Sequence, residues 1–409
     1  MKPIGILFGD KVLQWEEHPF SKKRTNQAFA LLSRIGKEKE IRFLISDFKQ
    51  LDKNILKKAW VFEDVWQIVE NRELELIFDR SETNFKNDEK KEEINKKIKI
   101  INNPGFNKLC WDKVQTYDYF SELVPRTFAV SNINEAKEIL PMIGTETVVL
   151  KPRYGIMGKD IQFLKKNKIK EVKKDYIVQE FIDSSKGIKE LDIQGVHDLR
   201  IVIINGEIHH SYVRVAEPGS LFANCAKGGK KVFLKKEQIP DKILDIVKEV
   251  DSRFQRYLPR IYSIDFVYDK NGKIWIAELE SIPGFAYYDN NEETRDSFLN
   301  KIADVLKETE PISEEEIAEQ ERIEEEQRKA AEEKRILREE KMKKMKEKEG
   351  ELKEEQAEEK EETEAEKEEK EIEKEIEELE TIEKREIIEE PEKIDDQEDS
   401  EDKKDLEEE

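Results

Sequence analysis

The stretch IYSIDFVYDKNGKIWIAELESIPGF, residues 261–285, decides how the middle of this chain folds. Two runs of alternating apolar residues flank Asn271-Gly272, a pair that favours a two-residue hairpin turn. Side chains on a strand alternate between faces, so Ile274, Ile276, Glu278 and Glu280 fall on one side. With the two-residue turn, Lys270 pairs with Lys273 and Asp265 lies opposite Glu278; with a four-residue loop, Asp265 faces Ile276 instead. Either register gathers Asp265, Glu278 and Glu280 on one face, beside Ile261 and Val267. The other face takes Ile264, Phe266, Ala277 and Leu279, so both sides are covered. Clustered, desolvated carboxylates require a compensating cation or several protons. Their oxygens suit Mg²⁺ or Mn²⁺, which a few acidic side chains hold together with substrate phosphates. The alternative is an edge hairpin whose glutamates are solvated.

Charge is distributed unevenly along the 409 residues. Of the formal net charge of -22, residues 314–409 contribute 46 acidic and 21 basic side chains, which leaves residues 1–313 nearly neutral. The near-neutral part is long enough for about two domains. It carries no basic stripe of the kind that binds nucleic acid. Cys110 and Cys225 stand far apart without a metal-ligand spacing, which argues against a zinc site or a disulfide framework. No apolar run approaches a membrane span, and the N-terminus lacks a signal-peptide layout, so a soluble, cytoplasmic protein is expected.

Strands are expected at 4–8, 41–45 and 74–78, with an amphipathic helix over 25–35. This alternation points to an open α/β sheet with a parallel part. The pattern changes after the turn cluster Asn102-Asn103-Pro104-Gly105. Helices are expected at 113–123, 134–139 and 241–256. The run TVVLKPRYGIMGKDIQFL reads as strand, glycine loop, strand; DYIVQEFI at 175–182 as a strand; and HDLRIVIINGEIHHSYVRVA as a hairpin about Asn205-Gly206. These form a largely antiparallel sheet separate from the first. The expected divisions are an α/β domain over 1–108, an α+β domain of two lobes over 109–310, and a Glu/Lys-rich tail, helical to disordered, over 311–409. Glu339 with Lys343, Glu340 with Lys344 and Glu366 with Lys370 support isolated helix in the tail, but no heptad is sustained.

Lys151 ends an apolar strand just before Gly155 and Gly158, where a cation and exposed backbone amides suit a phosphate. A surface lysine beside turn glycines is the other reading. More informative is the order of elements: Asp112-Lys113, Lys151 with its glycines, Gln179-Glu180-Phe181-Ile182, His197-Asp198-Leu199-Arg200, Arg214, Asn224 with Gly228-Gly229, Asp265, and Glu278-x-Glu280 before Pro-Gly. In this order the chain resembles the ATP-grasp superfamily, in the branch of glutathione synthetase and the RimK-like glutamate ligases, over roughly residues 110–305. The 1–108 unit then corresponds to the pre-ATP-grasp domain.

The resemblance implies an ATP-dependent ligase that forms carbon-nitrogen bonds through an acyl phosphate, acting on small-molecule or peptide carboxylates and amines. It implies ATP contacts from Lys113, Lys151, Gly155, Gly158, Glu180, Phe181, Asp198 and Asn224. It also implies Mg²⁺ or Mn²⁺ on Asp265, Glu278 and Glu280, with Arg200 and Arg214 at the reacting centre. Ideal hairpin register puts those two arginines on opposite faces. Two departures stand out: Glu280 occupies a place where the family usually has Asn, and DSSKGIKELDIQGV at 183–196 is an extra polar segment. His209 and His210 are consecutive on a strand, so only one can face the cleft, whereas His197 adjoins Asp198. The alternative function is an inactive nucleotide-binding scaffold presenting the tail to a protein partner.

Overall fold

A computed structural model describes residues 1–313 apart from 11, 82–84, 156–157 and 286–290, with 85–88 and 226 described by backbone alone. Beyond 313 it describes a broken series between 315 and 376. The chain divides into two compact units, Met1–Glu321 and Arg322–Glu409.

The first unit opens with an α/β sheet. Its elements are β1 (Lys2–Phe8), α1 (Lys23–Glu38), β2 (Ile41–Asp47), β3 (Leu51–Asp52), β4 (Ile55–Glu63), β5 (Val65–Glu73), β6 (Leu76–Asp79), α2 (Phe85–Asn95) and β7 (Ile100–Ile101). The strand order is β3-β4-β2-β1-β6-β7, with β5 on β4. β1 runs parallel to β2 and β6, and β6 parallel to β7, while β4 is antiparallel to its neighbours. The β4–β5 hairpin escapes sequence reading. It reverses at Asp64 in the left-handed region (φ 70), where no glycine marks the turn, and β5 is mostly exposed, so its apolar alternation is weak.

Helices α3 (Pro104–Trp111) and α4 (Lys113–Tyr119) lead into a four-stranded antiparallel sheet. It comprises β8 (Thr127–Val130), β9 (Thr147–Pro152), β10 (Gln162–Lys165) and β11 (Tyr176–Glu180), with α5 (Ile133–Ile139) packed beside it. A five-stranded antiparallel sheet follows, built from β12 (His197–Ile204), β13 (Glu207–Val215), β14 (Lys230–Leu234), β15 (Ile261–Tyr268) and β16 (Ile274–Glu280) in the order β14-β13-β12-β15-β16. The antiparallel region expected as one sheet is therefore two.

Apolar side chains Leu199, Ile201, Val213, Ile264 and Phe266 face one side of this sheet and bury α6 (Asp241–Ser252) through Ile243, Val247 and Val250. On the other side, Val202, Ile204 and Ile261 join the core of the first sheet. Helix α7 (Glu292–Glu308) completes that core with Phe298, Leu299, Ile302, Ala303, Val305 and Leu306. Lys2 Nζ donates to the carbonyls of Leu306 and Lys307 (both 3.2 Å), a cation placed at the negative end of the helix.

Among the described residues, no helix is long and apolar enough to cross a membrane. In the second unit Arg328 pairs with Glu325, and Arg335 with Glu332 and Glu339, the helical spacing expected there. The three pairs anticipated at 339–370 each include a residue outside the described ones, as does most of the expected disordered tail.

Candidate active site

The hairpin of β15 and β16 does pair Asp265 with Glu278, by a route that differs from both expected registers. Asp269 Oδ1 accepts the amides of Asn271 (2.8 Å) and Lys273 (3.0 Å), and Gly272 takes φ +83. The turn is thus a three-residue loop with glycine in the left-handed position, which leaves Tyr268 opposite Ile274 and Phe266 opposite Ile276. One extra residue, Ala277, then bulges before Glu278 meets Asp265. The bulge changes the strand's phase. Ile274 and Ile276, expected beside the glutamates, instead enter the apolar core, and Ala277 turns toward the cavity.

A second bulge does the same between β12 and β13. Ile203 faces Ile208 but Val202 faces His210, so His209 is the extra residue. The shift pairs Asp198 with Arg214 and corrects the expectation that Arg200 and Arg214 lie on opposite faces. Rows of side chains now run across the sheet. Arg214 and Asp198 form one; Tyr212, Arg200, Asp265 and Glu278 the next; His210, Val202, Ser263 and Glu280 the third.

Electrostatically the middle row is a closed network. Arg200 donates through Nε to Asp265 Oδ1 (2.6 Å) and through Nη2 to Oδ2 (2.7 Å), a bidentate fork. Arg214 donates to Asp265 Oδ2 and to Asp198 Oδ1. Burial pushes Asp265's carboxyl up, but the two guanidiniums outweigh it and hold the group below its ordinary range. Asp198 has one guanidinium, and burial together with repulsion from Asp265 pushes it up to about 6. Burial and the neighbouring Glu278 likewise raise Glu280, whose Oε1 accepts the Ile282 amide (2.9 Å).

The facing wall comes from the four-stranded sheet. Lys151 and Val149 on β9 and Gln179 on β11 point into a cavity of about 700 Å³ that also reaches Asp198, Arg200, Arg214, Asp265, Glu278 and Glu280. Phe163 contacts Phe181 (5.6 Å between ring centroids) and Phe222 (5.3 Å), forming an aromatic end. Glu180 Oε1 accepts the Gly144 amide (2.9 Å). Lys113 Nζ donates to the Gly155 carbonyl (3.1 Å) and stands 3.4 Å from Glu278. Gly158 has φ +68, a conformation that favours glycine, and a Cβ there would lie 2.6 Å from Asn224 Nδ2 and push that side chain aside. Every sequence-selected ATP or metal residue except Lys113 and Gly155 thus lines the cavity, and these two are joined to each other by a hydrogen bond.

The histidines sort differently. His197 is buried; its Nε2 accepts the Tyr268 amide (3.2 Å), which leaves Nδ1 to donate to the Gly195 carbonyl (3.1 Å). At the bulge His209 and His210 both pack on Phe298 of α7, and burial drives His210 down to about 3. Residues that sequence reasoning missed are Lys22, Phe163, Tyr212, Phe222 and Lys231 in the lining, and Asp112 behind it. The extra segment 183–196 forms a wall through Ser184 and Val196, tied by an Ile188–Ile193 bridge.

Burial, then the like charge of Lys113, lowers Lys151 to about 8, against 10.5 for a free lysine. The unfolded chain binds this proton over a pH range where the folded chain has lost it. The residue therefore penalises folding below about pH 8, and the penalty fades as pH rises toward 10.5. A bound anion reverses the shift. An anionic ligand that binds against Lys151 near pH 8.5 is accordingly expected to take up a proton, seen as a binding enthalpy that depends on the buffer's ionisation enthalpy. Equal enthalpies in two such buffers would refute the placement of Lys151 against an anion.

Three carboxylates on one face raise the question of a metal. Among the described residues no three of them converge as a self-sufficient metal cage. Asp265 is turned to the arginines, while Glu278 and Glu280 offer hard oxygen donors, Glu278 next to Lys113. That donor set fits a divalent cation completed by ligand oxygens rather than by protein alone.

Comparison with known proteins agrees with this geometry. The VanG D-Ala:D-Ser ligase structure from Enterococcus faecalis superposes with a TM-score of 0.50 at 13% identity, covering 75% of this chain and 98% of that one. The fold is the ATP-grasp fold. Residues 122–306 match the family model of the RimK-like ATP-grasp domain. A probable alpha-L-glutamate ligase of Legionella pneumophila (strain Corby) is 24% identical over 199 residues, 46% of this chain and 60% of that protein. One from Cellvibrio japonicus is 26% identical over 114 residues, 26% of this chain and 35% of that protein. The chain thus spans less than two thirds of the length of these relatives.

Proposed function

We propose that this chain is an ATP-dependent carboxylate-amine ligase working through an acyl phosphate. The observation that carries the reading is the convergence of Arg200 and Arg214 on Asp265, in one row with Glu278, across a cavity from Lys151. The Phe163, Phe181 and Phe222 end takes the adenine, with Glu180 at its edge. Asp198 meets the ribose or the acceptor. Lys113, Lys151, the backbone amides of Gly155 and Gly158, and Asn224 hold the phosphates. Glu278 and Glu280 would hold Mg²⁺ or Mn²⁺, with Asp265 kept on the two arginines behind them, and the ion would supply charge neutralisation for phosphoryl transfer.

A carboxylate oxygen attacks the γ-phosphorus and ADP leaves. The amine nitrogen then attacks the acyl carbon, and inorganic phosphate departs with the carboxylate's oxygen. Arg200 and Arg214 stabilise the acyl phosphate and then the tetrahedral intermediate from fixed positions, where preorganised donors act most strongly. The relatives' names favour L-glutamate as the amine. ADP formation that requires both a carboxylate and L-glutamate, with a product heavier by one glutamyl residue in intact-mass spectra, would support the proposal. ADP formation without any amide would refute it.

Glu280→Asn is expected to cost less than about tenfold in ATP turnover, the mild end of a disturbed metal shell. It also removes a buried charge facing Glu278, so thermal stability should rise. A loss as large as that of Glu278→Gln would show that Glu280 is an obligatory ligand.

A further inference from the structure

Asp112 is fully buried, carries a charge, and lies outside the cavity lining. A buried carboxylate is costly unless its oxygens are satisfied, and here they are saturated. Oδ1 accepts the amides of Val114 (3.0 Å) and Gln115 (3.4 Å), capping α4. The same oxygen accepts Arg153 Nε (2.7 Å), while Oδ2 accepts Arg153 Nη2 (2.5 Å) and the Tyr154 hydroxyl (3.1 Å).

The partners fall into two groups. The first is the N-terminus of α4, whose first residue is Lys113. The second is the chain just after β9, two residues past Lys151, where the glycine loop begins. One carboxylate therefore ties together the two elements that carry the phosphate-side lysines. Further bonds follow the same seam: the Lys113 amide donates to the Arg153 carbonyl (3.4 Å) and Lys113 Nζ to the Gly155 carbonyl (3.1 Å).

Burial of Arg153 disfavours its charge, yet the paired Asp112 outweighs this and raises its pKa above that of a free guanidinium. Lys113 and Lys151 repel each other, and the seam holds them in place against that repulsion.

We propose that Asp112 is a positioning residue that fixes the spacing of Lys113, Lys151 and the glycine loop, and so sets nucleotide affinity without touching the nucleotide. This rests on the reading of the cavity as a nucleotide site. Asp112→Asn is the informative variant, because Asn also caps helices well but cannot receive a guanidinium fork, its amide nitrogen facing other donors. The control is Asp251→Asn. Asp251 is likewise buried and holds Arg260 and the Tyr262 hydroxyl, but it lines no part of the cavity.

ADP binding with Mg²⁺ is measured by calorimetry, and kcat and KM by ADP release, for the full chain and both variants. Asp112→Asn is expected to weaken ADP and raise the KM for ATP by about tenfold or more, with a much smaller change in kcat at saturating ATP. Asp251→Asn should lower the melting temperature and leave ADP affinity unchanged. Unchanged affinity in Asp112→Asn, or an equal loss in Asp251→Asn, overturns the inference. A wild-type chain that fails to bind ADP overturns the nucleotide-site reading itself, and the inference with it.

Discussion

Asp265→Asn is expected to abolish ATP turnover and to lower stability by about 3–5 kcal/mol, the usual cost of removing one partner from a buried ion pair. The carboxylate answers two guanidiniums, Arg200 through a fork and Arg214 through one bond, in a site that water scarcely reaches. An amide there leaves both arginines facing a partner without charge, with Asp198 on Arg214 and the Glu280 carboxylate near Arg200 to compensate them. It also removes the anion that fixes Arg200 and Arg214 beside Glu278. Turnover should be measured well below the variant's melting temperature, so that loss of chemistry is separated from loss of fold. Activity within tenfold of wild type in a folded variant would mean that neither the metal nor the arginine pair depends on Asp265.

Arg214→Ala is expected to lower kcat by about 10²–10³ while leaving the KM for ATP nearly unchanged, the signature of an interaction made chiefly in the transition state. Arg214 stands in the row next to that of Asp265 and donates to its Oδ2, at the reacting centre proposed above. Its loss also frees Asp198, which burial already pushes toward the neutral form. A rise in the KM for ATP with kcat intact would place Arg214 on the nucleotide instead.

The sequence made the three carboxylates legible because face alternation survives small errors of register. Asp265 meets Glu278 even though Asn271-Gly272 does not form the two-residue turn that its composition suggests. The overlooked cue was Asp269, whose side chain accepts two amides and builds the longer loop. The bulges at Ala277 and His209 could not be read locally. A bulge reconciles the register set by a turn with the register set by packing on both faces, and the second depends on residues far away in sequence. Phe298 of α7, nearly ninety positions on, packs the His209 bulge.

Helix α7 is itself legible in the sequence, though no helix was expected there. Asn291 accepts the Thr294 amide as a cap, and Phe298, Leu299, Ile302, Ala303 and Leu306 keep helical spacing. The Asp112 to Arg153 bridge shows the opposite case. An aspartate before a helix signals a cap, and nothing in the sequence adds that it also holds a guanidinium 41 residues on.

The most direct test of the account follows one oxygen atom. The chain is incubated with ATP, Mg²⁺, L-glutamate and a pool of short peptides and amino acids whose carboxylates carry ¹⁸O, and the released phosphate is analysed by mass. A carboxylate activated by phosphorylation surrenders one of its own oxygens to phosphate when the amine displaces it. The expected result is ADP, an amide product, and inorganic phosphate bearing one ¹⁸O for each bond formed. Cleavage of ATP to AMP, or amide formation with unlabelled phosphate, would contradict the acyl-phosphate account.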